Sequence, residues 1–346
     1  MNRRFVNLLV KNLCAPRPAF KLHRIDPESL FYPTGSAGIR EGAPAPAPAP
    51  GRLPSAAISF DWNQTGWMDF MAFKNKIISV DHEGRTVLYD SASRAVFATN
   101  PMQPALQSND MFVSVGESLY VMSSEAGLPS RLVWFYALSY GKSPHLFREE
   151  DWYWRSLQLP PFDHNSDGDH NSDGDHSSDG RSDTHPCAIS AFTVVGNSQI
   201  WLSTVGAGTY SFDTLSRKWS KVGAWALPFR GRAVHVPEHN LWFGFSYNGY
   251  QLCAVDISLK QPLQHKVVLE DPPPPEVGSL TATHLMPLGS GKLCVSRLFQ
   301  DTEQEGETSA LVTGVEVRRG AGIGNLQVVK HKSRHYSFGQ GDVKLL

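Results

Sequence analysis

Short apolar runs separated by turn residues recur along most of the chain, and few stretches carry apolar residues at the three-and-four spacing of a helix. Gly (29) and Pro (24) punctuate these runs at short intervals. The pattern predicts short strands, and when the runs are aligned a repeating unit emerges: apolar strand, turn, second apolar strand, turn, a strand ending in Asp, and a fourth strand. Its clearest copy passes from Ile189-Ser190-Ala191-Phe192 through Gln199-Ile200-Trp201-Leu202 and Thr209-Tyr210-Ser211-Phe212-Asp213 to Lys218-Trp219.

Other copies start at Phe70-Met71-Ala72-Phe73, Met111-Phe112-Val113-Ser114-Val115, Arg232-Ala233-Val234-His235-Val236 and Thr281-Ala282-Thr283-His284-Leu285. The N-terminal copy is partial. Phe5 to Leu9 match the second strand of the unit and Phe20 to Asp26 the third, so its innermost strand has to come from elsewhere, and Arg334 to Phe338 is the expected donor. The prediction is an all-β chain, a single β-propeller over 1–346 with about six kelch-like four-stranded blades, closed by strands from both ends. The Asp after the third strand has a local reason to recur, because its carboxylate can accept hydrogen bonds from the N–H groups of the following turn.

Two stretches fall outside the repeat. Residues 42–50 alternate Ala and Pro, a composition that stays extended and solvated, and 163–185 is an Asp/His/Ser/Gly-rich insertion expected to be disordered. Pro272 to Pro275 reads as a connector and Asp301 to Thr308 as a polar hairpin tip.

Composition narrows the classes. A hydrophobic share of 41% and an aromatic share of 11% can fill a large core, which excludes a wholly disordered chain. Lys plus Arg number 32 against 33 acidic residues, so no net field draws the chain to nucleic acid or an anionic membrane, and neither is expected as a partner. The cysteines Cys14, Cys187, Cys253 and Cys294 form no CxxC pair and read as buried thiols in a reducing compartment. The apolar stretch Phe5 to Val10 is interrupted by Asn7 and followed by no small-residue cleavage site, so an intracellular location, cytoplasmic or nuclear, is expected.

Candidate chemistry is sparse. Asp163-x-Asn165-x-Asp167-Gly168 opens like a calcium loop, but Gly stands where the bidentate Glu belongs, and a flexible tract explains the run as well as the histidines His164, His170, His176 and His185. Gly141-Lys142-Ser143 lacks the first Gly of a phosphate loop, and Gly320-x-Gly322-x-Gly324 lacks the dinucleotide spacing. Ser79-x-Asp81 with Gly84 and Thr86 approaches an aspartate-box turn but carries an extra residue and lies between the wrong strands. The basic run Lys330, His331, Lys332 and Arg334 reads as a solvated strand face. Trp134, Trp201, Trp219 and Trp242 read as packing residues at equivalent repeat positions. Trp62 and Trp67, which flank the polar loop Asn63 to Gly66, are the candidate exposed binding residues.

Met1-Asn2-Arg3-Arg4-Phe5-Val6-Asn7-Leu8, Leu22-His23-Arg24-Ile25-Asp26 with Leu30-Phe31-Tyr32-Pro33, and Lys330-His331-Lys332-Ser333-Arg334 together resemble the plant family, expanded in grasses, classed as domain of unknown function 1668. The resemblance spans most of the chain and implies a kelch-like propeller, without any activity or catalytic residue to carry over. The expected function is a non-enzymatic scaffold, a monomer that binds a protein partner through loops at one end, with no cofactor, metal or catalytic residue. The competing reading is a propeller enzyme acting on a sugar or small metabolite in a central channel, where Asp69, Asp110 and His235 fall near innermost-strand positions.

Overall fold

The computed structural model describes residues 5–12, 19–33, 48–61, 67–102, 111–123, 134–142, 150–162, 188–246, 251–258, 263–266, 269, 278–301, 307–319 and 326–346. Among them every regular element is a strand except the 3-10 turn Pro27–Leu30. The first strands are β1 (Val6–Asn12), β2 (Ala19–Ile25), β3 (Ala49–Pro50) and β4 (Ile58–Asp61). Next come β5 (Met68–Phe73), β6 (Lys76–Asp81), β7 (Thr86–Asp90), β8 (Val96–Ala98), β9 (Met111–Val115), β10 (Ser118–Met122), β11 (Phe135–Gly141) and β12 (Asp151–Ser156). They are followed by β13 (Ile189–Val195), β14 (Gln199–Thr204), β15 (Gly208–Asp213), β16 (Lys218–Gly223), β17 (Arg230–Val236), β18 (Leu241–Phe245), β19 (Leu252–Asp256) and β20 (Leu263–Lys266). The last are β21 (Ser279–Gly289), β22 (Lys292–Gln300), β23 (Thr308–Arg319), β24 (Leu326–Ser337) and β25 (Gly341–Leu345).

The chain divides into two compact units, residues 67–231 and residues 1–66 together with 232–346. In the 67–231 unit, β5–β8, β9–β12 and β13–β16 are antiparallel meanders with neighbouring strands paired in chain order. Register follows the apolar pattern, because Met71 opposes Ile78 and Ile78 opposes Leu88, a row in which all three side chains are buried. One core joins this face to Leu119, Val121, Trp134, Leu138 and Trp154, and a second joins Val113, Tyr120 and Phe135 to Ile200, Leu202 and Phe212. Strand β10 feeds both cores, so its Leu119 to Met122 are buried without alternation, as expected of a strand covered on two faces. The second core is aromatic at its centre, where Phe135 meets Phe212 edge-on with centroids 4.9 Å apart.

In the other unit β25 pairs antiparallel with β1, β1 with β2, and β2 with β4. The C-terminal segment thus does supply a strand beside β1, but that strand is Gly341–Leu345 and not Arg334 to Phe338. Residues 334–337 instead continue β24 against β23, because the apolar residues of 326–336 are drawn into that longer hairpin. The end of the Ala/Pro tract also departs from expectation: Ala49 and Pro50 run parallel to Arg334 and His335, and the Gly51 N–H bonds to the His335 carbonyl at 2.6 Å. Residues 42–47 of that tract and the whole of 163–185 lie outside the described residues. Two apolar clusters hold this unit, one joining Val6, Leu8, Ile25 and Leu345 to Cys294, Leu298 and Val312, the other joining Val234, Phe243 and Ala254 to Leu293, Val295 and Val315.

The recurring Asp does what local chemistry suggests. Asp90 Oδ1 accepts from the Ala92 N–H at 2.8 Å and the Ser93 N–H at 3.2 Å, and Asp213 Oδ1 accepts from Leu215 at 2.8 Å and Ser216 at 3.0 Å. Asp256 repeats this with the Ser258 N–H at 2.9 Å, and Asp26 with the Glu28 N–H at 3.0 Å. Hydrogen bonds from Lys76 and the turn N–H groups hold the Asp90 carboxyl below its ordinary range; Ser216 and Leu215 N–H groups do so for Asp213.

Two sequence readings are corrected. The four tryptophans are not equivalent: Trp134 precedes β11, Trp201 and Trp242 lie on second strands, and Trp219 lies on a fourth strand. Their common apolarity reflects packing demand at different places. The basic run is no solvated face either, since His331 is buried and Lys330, Lys332 and Arg334 are half-buried. Strand β3 pairs with Arg334 and His335 of β24, while Phe31 and Tyr32 pack against His331 and Lys332.

Candidate interaction surface

Of the two tryptophans singled out in the sequence, Trp62 lies outside the described residues and Trp67 is 39% exposed at the entrance to β5. Its carbonyl accepts the His82 N–H at 3.1 Å, which sets it beside the turn joining β6 to β7. That turn is built around Asp81, a buried carboxylate. Asp81 Oδ1 accepts the N–H groups of Glu83 and Arg85, both at 2.9 Å, and Oδ2 accepts from Arg85 Nε at 2.6 Å. The Asp81 bond holds the Arg85 guanidinium above its ordinary value.

Gly84 allows the turn to close. Its φ is +78°, and an added Cβ would lie 1.8 Å from the Met102 carbonyl oxygen, so only glycine fits. Thr86 Oγ1 donates to the Gly84 carbonyl at 3.1 Å and accepts from Trp154 Nε1 at 2.9 Å, which ties the turn to the β9–β12 meander. The turn therefore presents Glu83 and Arg85, both largely exposed and 3.1 Å apart, from a fixed base to which the Trp67 backbone is hydrogen-bonded. The Ser79-x-Asp81 near match to an aspartate box is, in this fold, the sequence trace of that turn.

The same sheet leaves apolar surface uncovered. Tyr89 opposes Val96 and Val87 opposes Ala98, so these four share one face, where Val96 is 66% and Val87 38% exposed. Phe97 is also exposed. The alternation of these residues identified strands but gave no sign that the face would stay open, because exposure depends on which meander stands opposite.

Of the residues considered for a channel enzyme, two are among the described residues, each in its own unit. Asp69 lies on β5 in the 67–231 unit, where Oδ1 accepts the Phe70 N–H at 2.7 Å. Asp110 lies outside the described residues. His235 lies on β17 in the other unit, stacked on Trp242 at 4.3 Å between ring centroids.

A histidine–carboxylate pair does occur elsewhere, on β24 and β23. His331 Nε2 lies 3.1 Å from Glu316 Oε2, and its Nδ1 accepts the Tyr32 N–H at 3.3 Å. With Nδ1 accepting, the proton resides on Nε2 and is donated to Glu316. Burial holds His331 below its ordinary value despite the Glu316 bond, and Arg318 in turn bonds Glu316 at 2.8 Å. Both ring nitrogens are thus engaged, and Phe31 covers the ring edge-on at 4.9 Å. This arrangement fastens the Phe31-Tyr32 segment to the sheet; it offers no free base. Among the described residues no group of His, Cys, Asp and Glu is placed to hold a metal ion. No helix among them is long and apolar enough to cross a membrane. Cys253 and Cys294 are buried and in no disulfide among the described residues, and Cys14 and Cys187 lie outside those residues.

Antiparallel meanders closed by Asp-capped turns define an all-β protein, and among the described residues no catalytic constellation is recognisable. Residues 3–336 match the family described as protein of unknown function (DUF1668), and the chain belongs to that family. No curated protein matches it. Among solved structures it is similar to the computationally designed Ika8 protein, at 8% identity and a TM-score of 0.35, over 100% of this chain and 98% of that one. It is also similar to a streptogramin B lyase, at 10% identity and a TM-score of 0.35, over 81% of this chain and 98% of that one.

Proposed function

We propose that the chain is a binding scaffold of kelch-like propeller type, whose β6–β7 turn and adjoining Trp67 contact a protein partner inside the cell. The carrying observation is the combination of an exposed Trp67 ring with Glu83 and Arg85 on a turn whose geometry is fixed by the buried Asp81. Rigid presentation matters because a preformed contact avoids the ordering entropy that a floppy loop loses on binding. Trp and Arg are also the side chains that most often dominate interface energies. The exposed Val87 and Val96 face extends the apolar area available on the same sheet. The repeated meander and its Asp-capped turn support the propeller reading, in which such turns cluster at the ends of the blades.

The test is affinity recovery from plant cells with the intact chain and with Trp67→Ala and Arg85→Ala variants. The reading expects reproducible partners that both variants lose while their unfolding midpoints stay near wild type. Partners retained equally by both variants would remove this surface from consideration, and no reproducible partner at all would remove the scaffold reading.

A further inference from the structure

The segment Asp26 to Tyr32 is held to the β22–β24 sheet of its own unit by contacts of two kinds. The first is apolar. Leu30 and Phe31 are buried in one cluster with Met286, Cys294 and Val312, and a Cβ added to Gly314 would lie 2.5 Å from the Leu30 carbonyl oxygen, so the turn rests directly on the β23 backbone. The second is a single bond. Within the segment the Glu28 N–H goes to Asp26 Oδ1 and the Phe31 N–H to the Glu28 carbonyl, which close its own turn. Among the described residues the hydrogen bond that crosses from it to the sheet runs from the Tyr32 N–H to His331 Nδ1, at 3.3 Å.

His331 accepts that bond only while neutral. Its Nε2 keeps a proton on Glu316 Oε2 at 3.1 Å, so a second proton enters at Nδ1, where the Tyr32 N–H already points. Protonation therefore sets two donors against each other, while the Glu316 bond gains charge and strengthens. The ring keeps Glu316 and gives up Tyr32. A Tyr32 N–H left without an acceptor is costly in a partly buried place, and it regains one by lifting into water.

The charged groups around the ring come from each neighbouring element. Strand β23 brings Glu316 with Arg318, 2.8 Å apart, and β22 brings Lys292, whose Nζ stands 4.7 Å from the Phe31 ring centroid. On β24 itself Lys332 stands 5.2 Å over the Tyr32 ring, and Lys330 opposes Val315 and so lies on the other face from Glu316. Asp26 and Glu28 of the turn are exposed. Burial holds His331 below its ordinary 6.5, with Glu316 pulling upward and Arg318 and Lys292 downward. Once the segment lifts, the ring regains water, so the open form takes up the proton more readily than the closed one. The closed form is therefore favoured above 6.5 and loses ground as pH falls below it.

We propose that His331 is a proton-operated latch: neutral, it pins the Phe31-Tyr32 segment to β24, and protonated, it lets the segment lift from β23 at Gly314. The latch lies on different elements from the Trp67 surface and does not depend on the scaffold reading.

Amide hydrogen exchange of the full chain tests it, resolved at Tyr32 by NMR and expressed as a protection factor so that the intrinsic pH dependence of exchange cancels. Between about pH 7.5 and about pH 5 the wild-type Tyr32 amide is expected to lose at least ~10-fold in protection, the loss expected for one hydrogen bond. His331→Gln, whose side chain does not titrate, is expected to show no such change, and His284→Gln is expected to keep the wild-type response. Glu316→Gln serves where His331→Gln does not fold: it keeps an acceptor for Nε2 but removes the charge that favours the imidazolium, so the loss of protection moves to lower pH. Tyr32 protection that stays constant with pH in wild type, or falls alike in wild type and His331→Gln, overturns the proposal. So does a transition at the same pH in Glu316→Gln, or its disappearance in His284→Gln.

Discussion

Replacing Gly84 by Ala tests the construction of the β6–β7 turn. At φ +78° any residue with a Cβ loses about 1–2 kcal/mol by entering the left-handed region. Here the Cβ would also stand 1.8 Å from the Met102 carbonyl oxygen, backbone that cannot rotate out of the way. The turn must therefore open. Opening it breaks the Met102 N–H to Gly84 carbonyl bond of 2.8 Å and the Gly84 N–H to Asp81 carbonyl bond of 2.8 Å, and it disturbs the Thr86 link to Trp154. At roughly 0.5–1.5 kcal/mol for each lost hydrogen bond, the expected total is about 2–5 kcal/mol. Gly116 supplies the control, because its φ is +57° with nothing within 4 Å of an added Cβ, so Gly116→Ala should lose only the conformational part, about 1–2 kcal/mol. Urea unfolding of both variants, followed by tryptophan fluorescence and circular dichroism, measures the difference. Equal destabilisation of the two would falsify the claim that close approach to Met102 fixes the turn.

Phe212→Ala should destabilise by about 3–5 kcal/mol in the same assay, since the ring is buried against Phe135 and Trp219 and little can collapse into its place; a loss below 1 kcal/mol would contradict the aromatic core. Thr86→Val should lose about 1–3 kcal/mol by orphaning Trp154 Nε1, and adding Trp154→Phe should make the pair less than additive; strict additivity would deny the bond. His284 is held at about 4 by burial, with the Lys344 charge adding to it. Its folded value lies below the unfolded 6.5, so the unfolded chain takes up the proton first and stability falls as pH drops from 6.5 toward 4. His284→Gln should flatten that part of the urea-midpoint profile, and an unchanged slope would show that another group is responsible. Asp213→Asn should remove part of the stability lost at still lower pH, because the Asp213 carboxyl is held below its usual 3.8 and contributes only while ionised.

What the chain settled by itself was everything governed by neighbours in sequence. Alternation over five or six residues with Gly, Asp or Asn between runs suffices to make hairpins, and the Asp at the end of the third strand reaches N–H groups only two or three residues away, so Asp26, Asp90, Asp213 and Asp256 were legible as turn caps. The candidate surface was half legible: Trp67 stood out beside a polar loop, but that Asp81 would be buried and Glu83 and Arg85 left outside required the packing around Met102 and Trp154.

Tertiary structure alone decided the pairings between distant segments. Leu345 could join Leu8, or Arg334 could have done so, with the same local alternation; the longer apolar register with β23 claimed residues 326–337 and left 341–345 for β1. For the same reason a run of Lys, His and Arg that looked solvated became partly buried once Phe31, Tyr32 and the short β3 packed against its strand. Burial and charge environment are sums over elements remote in sequence, and no local pattern of residues encodes them.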